Sequence, residues 1–382
     1  MVEGRTLWEL MERRAEATPD ALMAVDEDMR TLTFAELWSE SERTAAGLQA
    51  SGLRAGDVVT WQLPTWIESL ILVAALSRLE VVQNPVLPIL RDREVDFITD
   101  QADSRLLVVP SRWKGFDHEA MALAIAERQG RDMRVLVSDR ALPQGDPTRL
   151  PDRAEPLDMA DQPVRWIFYT SGTTAEPKGA QHTDASIAAV ARGMGRRLAV
   201  IEDDRAALVF PFTHIGGVTW LFTSLMFGNA LILTDTFDPD GTPEVLSREG
   251  VTLAGAGTVF HQAYLAYQRK HLRPVFPHVR AFPGGGAPKP PSLVEELRVL
   301  FDAPVLAGYG LTEAPILTMA DVSDRDDELA VTEGKPMTGV ELRIIPGGLV
   351  LGGLQHHDVG HRAVQLHVGP VGRVPAAPGL RR

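Results

Sequence analysis

Residues able to hold a phosphate group are concentrated in one segment, which runs YTSGTTAEPKG from Tyr169 to Gly179 after an apolar stretch. Backbone N–H groups and hydroxyls in such a segment can surround phosphate oxygens, and a lysine adds positive charge. The residues concerned are Thr170, Ser171, Gly172, Thr173, Thr174 and Lys178. A Walker A loop is excluded, because Pro177 stands where a glycine should precede the lysine. The spacing predicts a phosphate cradle, and a plain Ser/Thr/Gly surface loop is the alternative.

Two glycine-rich segments each follow a short apolar run that predicts a strand. The first is Gly284-Gly285-Gly286-Ala287-Pro288, where missing side chains let the backbone approach a flat ligand. The second is Gly308-Tyr309-Gly310-Leu311-Thr312-Glu313. In it an aromatic face suits a base, and a carboxylate suits a hard cation such as Mg²⁺. An ordinary turn is the alternative for both segments.

A histidine stands between a predicted strand and a predicted helix, in the segment PFTHIGG from Pro211 to Gly217. Two functions are open for this residue, His214: it lines a ligand site, or it has a structural role. The helix predicted from Val218 to Phe227 is apolar nearly all round. It therefore either walls an apolar pocket or belongs to the core.

The segment from Tyr169 to Gly179 closely resembles the phosphate-loop signature of the adenylate-forming (AMP-binding) superfamily. That superfamily includes acyl-CoA ligases, luciferases and peptide-synthetase adenylation domains. One residue departs from the signature: Ala175 replaces the usual glycine. The stretches from Leu32 to Leu37 and from Gly334 to Glu341 also resemble family landmarks, so the likeness extends from about residue 5 to residue 345.

The resemblance implies roles for the motif residues. Tyr309 would stack on adenine, Thr312 would hydrogen-bond a phosphate, and Glu313 would hold Mg²⁺. The Gly284–Ala287 segment would border both the adenine and the acyl group, and His214 would line the site of the acyl carboxylate. Lys178, Thr312, Glu313 and His214 are therefore the predicted catalytic residues.

The resemblance stops after Ile345. The family would continue through a small β-barrel and a mobile C-terminal domain, neither of which is visible in this sequence, and no lysine follows Lys335. We therefore expect residues 336–382 to form an incomplete barrel segment with a tail unlike the family. The mobile domain would be absent, and turnover by this chain weak or absent.

The function implied is that of a fatty-acid type acyl-CoA ligase, with ATP, Mg²⁺ and CoA as cofactors or co-substrates. A carboxylate attacks the α-phosphate of ATP to give acyl-AMP and pyrophosphate, and the CoA sulfur then displaces AMP. The stretch from Asn84 to Glu94 looks like bacterial ligases for fatty and alicyclic acids, so we expect a medium or long fatty acid as the substrate, with a cyclohexane-type or aryl acid as the alternative. A non-catalytic protein that binds ATP or acyl-AMP is the alternative, and activity completed by a partner chain is another.

Composition restricts the classes of protein and of site. The 382 residues carry a net charge of −13, which disfavours binding to nucleic acid, and they include no cysteine, which excludes disulfides and thiolate chemistry. The most apolar run, Leu70 to Leu76, is far shorter than the roughly 18 residues of a membrane span. The N-terminus is unlike a secretory signal, so we expect a cytoplasmic protein. A homodimer is an assembly that the sequence leaves open.

The elements that must position these residues alternate between short apolar runs and amphipathic stretches. Thr6-x-x-Glu9 and Thr33-x-x-Glu36 predict helix capping boxes, and the stretch from Ser138 to Gln162 predicts a linker. This alternation predicts an α/β fold of two doubly wound units with mainly parallel sheets, residues 1–160 and 161–335, whose ligands bind at the carboxyl ends of strands.

Overall fold

Helices and strands alternate along most of the chain, in a computed structural model that describes residues 1–153, 155–170 and 177–344, with the backbone of 351–352 and 364–367. The α-helices in these ranges are α1 Leu7–Ala17, α2 Phe34–Ala50, α3 Ile67–Arg78, α4 Asp92–Gln101, α5 His118–Gln129, α6 Asp184–Arg197, α7 Ile215–Phe227, α8 Gly241–Arg248, α9 Thr258–Gln268, α10 Pro291–Phe301 and α11 Asp326–Val331. The strands are β1 Leu22–Val25, β2 Thr31–Thr33, β3 Val58–Trp61, β4 Val82–Pro85, β5 Leu106–Val109, β6 Arg112–Trp113, β7 Phe116–Asp117, β8 Arg134–Val137, β9 Trp166–Thr170, β10 Lys178–His182, β11 Arg205–Leu208, β12 Ala230–Leu233, β13 Phe282–Gly285, β14 Val305–Tyr309, β15 Thr318–Met319, β16 Lys335–Pro336, β17 Arg343–Ile344, β18 Leu351–Gly352 and β19 Val364–His367. The predicted α/β class is confirmed.

The largest sheet has six strands in the order β10-β9-β4-β3-β5-β8. All neighbours are parallel except β10, which is antiparallel to β9. Helices α4 and α5 pack together over one part of this sheet, where Val95, Ile98 and Ile125 share a small core with Leu107 and Val109 of β5. Because the parallel strands all end on the same side, the carboxyl ends of β4 and β9 lie at one edge of the sheet.

Two further sheets have four strands each, β11-β12-β1-β2 and β13-β14-β15-β16, and β6 and β7 form a separate two-stranded sheet. Leu253 forms parallel bridges both to Ala206 in β11 and to Ala281 just before β13, so it joins the two sheets. The apolar run from Val251 to Leu253 thus contributes this one bridging residue and no full strand. After Leu342 the described backbone forms a three-stranded sheet of β17, β19 and β18 and no closed barrel.

Strands from both sides of residue 160 share sheets. The pair β9 and β10 lies beyond that position but completes the six-stranded sheet, whereas β1 and β2 lie before it and pair with β12. The predicted division near residue 160 therefore does not coincide with a division between sheets. The two chain segments are joined by backbone hydrogen bonds as well as by packing.

The main core contains the helices that are apolar on all sides. In α3 every residue from Ile67 to Leu76 is buried, and in α7 nearly every residue from Ile215 to Met226 is buried. Helix α1 packs against α2, α3 and α7, and α6 packs along α7. Burial among the described residues favours the core for the helix predicted from Val218 to Phe227, and Ile215, in the first turn of α7, also lines a cavity.

The two predicted capping boxes have different outcomes. At α2 both bonds form: the Thr33 hydroxyl accepts from the Glu36 N–H at 3.1 Å, and the Glu36 carboxylate accepts from the Thr33 N–H at 2.8 Å. At α1 the Thr6 hydroxyl accepts from the Glu9 N–H, but the Glu9 carboxylate accepts from the N–H of Arg5 instead. The capping box predicted at Thr6 is therefore only half correct, because the Glu9 carboxylate does not accept from the Thr6 N–H.

No helix within the described ranges combines the length and the apolar character that crossing a bilayer requires.

Candidate functional site

The predicted phosphate cradle connects two antiparallel strands. Thr170, the last residue of β9, is paired with Lys178, the first residue of β10, and the pairing continues to Trp166 and His182. The sequence had predicted the strand before the cradle but not β10 after it. Four of the predicted phosphate ligands lie outside the described residues: Ser171, Gly172, Thr173 and Thr174.

Lys178 differs from the other lysines of the chain in having no ion-pair or aromatic partner among the described residues. Three of them form ion pairs and one lies over a tryptophan ring: Lys270, Lys289, Lys335 and Lys114. The Lys178 side chain is exposed and forms no ion pair with any residue that the structure describes. An exposed ammonium group can pair with an anion, and the phosphate role of Lys178 stays a prediction.

The two glycine-rich segments lie side by side. Strands β13 and β14 are parallel, with Gly284 opposite Ala307 and Gly285 opposite Gly308. A Cβ atom on Gly285 would collide with the carbonyl oxygen of Gly308, so this close approach requires glycine. Gly286, by contrast, has open space around it but a φ of +81°, a conformation that favours glycine. The two predicted nucleotide segments thus meet at the carboxyl ends of neighbouring strands.

We predict that Gly285→Ala is more damaging than Gly286→Ala. The first substitution forces β13 and β14 apart and should cost about 2–3 kcal/mol of unfolding free energy, as other overpacked sites do. The second adds only the backbone cost of a left-handed alanine, about 1 kcal/mol. Chemical denaturation of both variants measures the difference, and equal losses would contradict the close packing of the two strands.

The segment after β14 presents an aromatic ring and a carboxylate. Tyr309 is half-buried, and Glu313 is exposed and forms no ion pair with a described residue. Within the described part of the chain, no group of three or more His, Asp or Glu residues could hold a metal by itself. A single free carboxylate fits Mg²⁺, which keeps much of its water shell and is held by one or two carboxylates together with substrate phosphates.

His214 is the N-cap of helix α7. Its Nδ1 accepts a hydrogen bond from the Gly216 N–H at 3.1 Å, so the neutral ring carries its proton on Nε2. The surrounding protein lowers the pKa of His214 by desolvation, although part of the ring remains open to solvent. The structural role left open for this histidine is therefore present, and Nε2–H remains free to donate to a ligand.

A small cavity lies where the ends of β4 and β9 meet the start of α7. Its volume of about 30 Å³ admits water but not an acyl group. The hydroxyl of Thr213 is buried there and has no hydrogen-bond partner among the described residues. Most of the lining is apolar, and the residues are Pro85, Val86, Leu87, Leu90, Phe168, Tyr169, Thr213, His214, Ile215 and Thr312.

The cavity brings His214 and Thr312 together with Tyr169, the residue at the start of the phosphate motif. Strand pairing brings Thr170 to Lys178 and the Gly284–Gly285 pair to Gly308. No described contact joins Ala287 or Gly310 to the phosphate hairpin. The described site residues thus lie in three places: the hairpin of β9 and β10, the ends of β13 and β14, and the cavity. Tyr169 links the hairpin to the cavity, and Thr312 links the segment after β14 to the same cavity.

Sequence reasoning missed His182, which lies at the end of β10. Its Nε2 lies 2.8 Å from the carbonyl oxygen of Thr312, and the ring is nearly fully buried. Burial lowers the pKa of His182, which favours the neutral ring. The sequence signal was its place at the end of the strand after the cradle, but β10 itself was not predicted.

Comparison with known proteins identifies the class. The profile of the AMP-binding enzyme family matches residues 11–349. The chain is 28% identical over 351 residues to 2-succinylbenzoate–CoA ligase of Bacillus subtilis, which covers 91% of this chain and 67% of that protein. It is 27% identical over 354 residues to oxalate–CoA ligase of Arabidopsis thaliana, which covers 90% of this chain and 68% of that protein. The chain thus spans about two thirds of the length of these relatives.

Solved structures share the fold. A long-chain-fatty-acid–CoA ligase from Archaeoglobus fulgidus matches with a TM-score of 0.77 at 21% identity, over 90% of this chain and 72% of that chain. The N-terminal domain of FACL13 from Mycobacterium tuberculosis matches with a TM-score of 0.73 at 21% identity, over 89% of this chain and 84% of that domain. Because the family profile matches most of its residues, the chain belongs to the AMP-binding enzyme family, the adenylate-forming CoA ligases.

Proposed function

We propose that this chain binds MgATP and a carboxylic acid, joins them as acyl-AMP with release of pyrophosphate, and passes the acyl group to CoA. The observation that carries the proposal is the convergence of the Lys178 hairpin with the segment that contains Thr312. His182 of β10 bonds Thr312, and Tyr169 of β9 lines the same cavity as Thr312 and His214. The cavity itself is lined mostly by apolar side chains, which suits the body of an acid, and Lys178 at the start of β10 is a cation for the nucleotide phosphates.

The roles follow from the charges and surfaces of these residues. Lys178 would neutralise part of the phosphate charge, which lets the carboxylate of the acid approach the α-phosphorus. Tyr309 would stack on adenine beside the Gly284–Gly286 backbone, and the hydroxyl of Thr312 would bond a phosphate oxygen. Glu313 would hold Mg²⁺, which supplies charge neutralisation at the phosphates when bound. Nε2–H of His214 would donate to the carboxylate of the acid.

For the acid, we propose a molecule with an apolar body, either a fatty acid or an alicyclic acid. The support is the apolar lining of the cavity by Val86, Leu87, Leu90 and Ile215. The Archaeoglobus fulgidus neighbour is named as a ligase for long-chain fatty acids, whereas the curated relatives are named for 2-succinylbenzoate and oxalate. Because the cavity is water-sized, entry of such an acid requires side chains at its mouth to move.

Two measurements on the whole chain test the proposal. Calorimetric titration measures the binding of MgATP, and exchange of labelled pyrophosphate into ATP measures adenylation. The exchange is run with octanoate, palmitate, cyclohexanecarboxylate, benzoate, 2-succinylbenzoate and oxalate. Exchange with one of the first three acids supports adenylation and the proposed class of acid, and exchange with only the other three supports adenylation but contradicts that class of acid. MgATP binding without exchange for any acid indicates a binding protein instead, and no MgATP binding by the folded chain contradicts both functions.

Glu313→Gln is expected to raise the Mg²⁺ concentration needed for half-maximal ATP binding by about tenfold, because an amide is a much weaker ligand for Mg²⁺ than a carboxylate. Titration with Mg²⁺ at fixed ATP concentration measures the change. Glu295→Gln, at an exposed position on α10, is the matched control and should leave the titration unchanged. An unaltered Mg²⁺ dependence in Glu313→Gln would exclude this carboxylate from the metal site.

A further inference from the structure

His182 lies where the phosphate hairpin meets the 308–313 segment. It ends β10, where it is paired with Trp166 of β9, and its backbone carbonyl accepts from the Arg165 N–H at 2.9 Å. The residue is only 6% exposed, and its ring packs edge-on to Phe168, which lines the cavity. The backbone of His182 is therefore fixed by the sheet, and its ring by packing.

The hydrogen bonds define the protonation of the ring. A carbonyl oxygen only accepts, so Nε2 of His182 must carry a proton and donate it to Thr312 at 2.8 Å. On the other side, Nδ1 lies 3.4 Å from the hydroxyl of Ser186 on α6. In the neutral ring Nδ1 is an acceptor, but the Ser186 hydroxyl also donates to the Thr183 carbonyl at 2.8 Å, so Nδ1 is the more distant of two acceptors for a single hydroxyl proton. The side chain thus connects the start of α6 to the Thr312 carbonyl.

We infer that His182 is a positioning residue for the nucleotide: its Nε2–H holds the Thr312 carbonyl and so fixes Thr312 and Glu313 relative to the hairpin that carries Lys178. This inference rests on the proposed function. Thr312 lies in the segment that follows β14, and the bond at its carbonyl ties it to a strand of another sheet. Without the bond, the groups proposed for phosphate and Mg²⁺ would lose their register with Lys178.

Two substitutions separate the hydrogen bond from the volume of the ring. His182→Leu keeps an apolar body but cannot donate, and it should weaken MgATP binding by about tenfold, the equivalent of one buried hydrogen bond. In His182→Gln the amide nitrogen can occupy the place of Nε2 and donate to Thr312, so its affinity should stay within about threefold of the unmodified chain. Calorimetric titration with MgATP measures both.

A second buried histidine provides the control for loss of an interior ring. His118 is fully buried, and its Nε2 lies 3.1 Å from the Pro88 carbonyl. His118→Leu removes the same kind of bond away from Thr312, so its MgATP affinity should be unchanged even where its thermal stability falls. The inference is overturned if His182→Leu binds MgATP as tightly as the unmodified chain. It is equally overturned if His182→Gln is as weak as His182→Leu.

A spectroscopic measurement separates this inference from the proposed function. Long-range ¹H–¹⁵N NMR correlations, with the His182 signal assigned from its absence in His182→Gln, report which ring nitrogen is protonated. We expect the Nε2–H form in the chain without ligand. If that form is found but the chain does not bind MgATP, the proposed function fails while the bond to Thr312 stands. A proton on Nδ1 alone would refute the bond itself.

Discussion

Lys178→Ala is expected to weaken the binding of MgATP by roughly ten- to a hundredfold, the loss that accompanies removal of one charged contact to a phosphate. The ammonium group is exposed and makes no ion pair with a described residue, so no other group inside the protein has to be left unpaired. The backbone pairing of Lys178 with Thr170 does not depend on the side chain. Thermal stability should therefore stay nearly constant while calorimetric affinity falls.

The matched control for Lys178 is Lys270→Ala. Lys270 is also exposed, but it pairs with Asp240 at the surface after α9. An exposed ion pair contributes about 0–1 kcal/mol to stability, and its loss should not change MgATP affinity. Equal affinities for Lys178→Ala and the unmodified chain would show that the hairpin is not the phosphate site, even if the chain binds ATP elsewhere.

The parts of the site that the sequence predicted are those whose signal is local. The cradle from Tyr169 to Gly179 and the segment from Gly308 to Glu313 are contiguous, and each follows a strand whose apolar run is visible. The glycines from Gly284 to Gly286 were predicted to allow close approach of a flat ligand, whereas the close approach found at Gly285 is to the backbone of Gly308. All residues of a contiguous motif are adjacent in the sequence, so the motif and its position after a strand could be predicted.

The parts that were missed depend on residues far apart in the chain. His182 and Thr312 are separated by 130 positions, and nothing in either neighbourhood indicates the other. Strand β10 reads Lys-Gly-Ala-Gln-His, which lacks the β-branched and aromatic residues typical of strands. It forms because β9 supplies a partner across the hairpin, so tertiary pairing overrides a weak local preference.

The organisation of the sheets could not be predicted for a related reason. Alternation of strands and helices indicates parallel sheets, but it does not say which strand pairs with which. Here Ala24 of β1 lies beside Leu231 of β12, although more than half of the chain separates them. The linker from Ser138 to Gln162 was a reasonable place to expect a boundary, because it has little regular structure. Nevertheless, β9 and β10, which follow this linker, complete the six-stranded sheet, because β9 pairs with β4.

A buried carboxylate beside the site shows the same long-range dependence. Asp184, the first residue of α6, is 4% exposed. One of its oxygens accepts from the Trp166 indole N–H at 2.7 Å, and the other accepts from the Leu7 N–H at 2.9 Å. It thus connects the start of α1 to the strand that leads into the cradle. Two donors in the interior depend on this one side chain.

Asp184→Ala is therefore expected to lower the unfolding free energy by about 3 kcal/mol or more. The substitution leaves the Leu7 and Trp166 N–H groups without an acceptor, and each buried donor that is left unpaired costs roughly 1–3 kcal/mol. Chemical denaturation followed by circular dichroism measures the loss. Asp203→Ala, at an exposed position, is the control and should change stability by less than about 0.5 kcal/mol. A loss for Asp184→Ala as small as that of the control would mean that water replaces both bonds.

The protonation of Asp184 gives this prediction a pH dependence. Burial raises the pKa of the carboxyl above its usual value, although the bonds from Leu7 and Trp166 and the charge of Arg165 oppose the shift. The folded chain then binds the proton more tightly than the unfolded chain, so the stabilisation is complete below about pH 4 and is lost as the pH rises through the raised pKa. Asp184→Asn cannot titrate. The unmodified chain should therefore lose stability relative to Asp184→Asn as the pH rises from about 4, and a difference that stays constant or changes in the opposite direction would show that the folded carboxyl does not have a raised pKa.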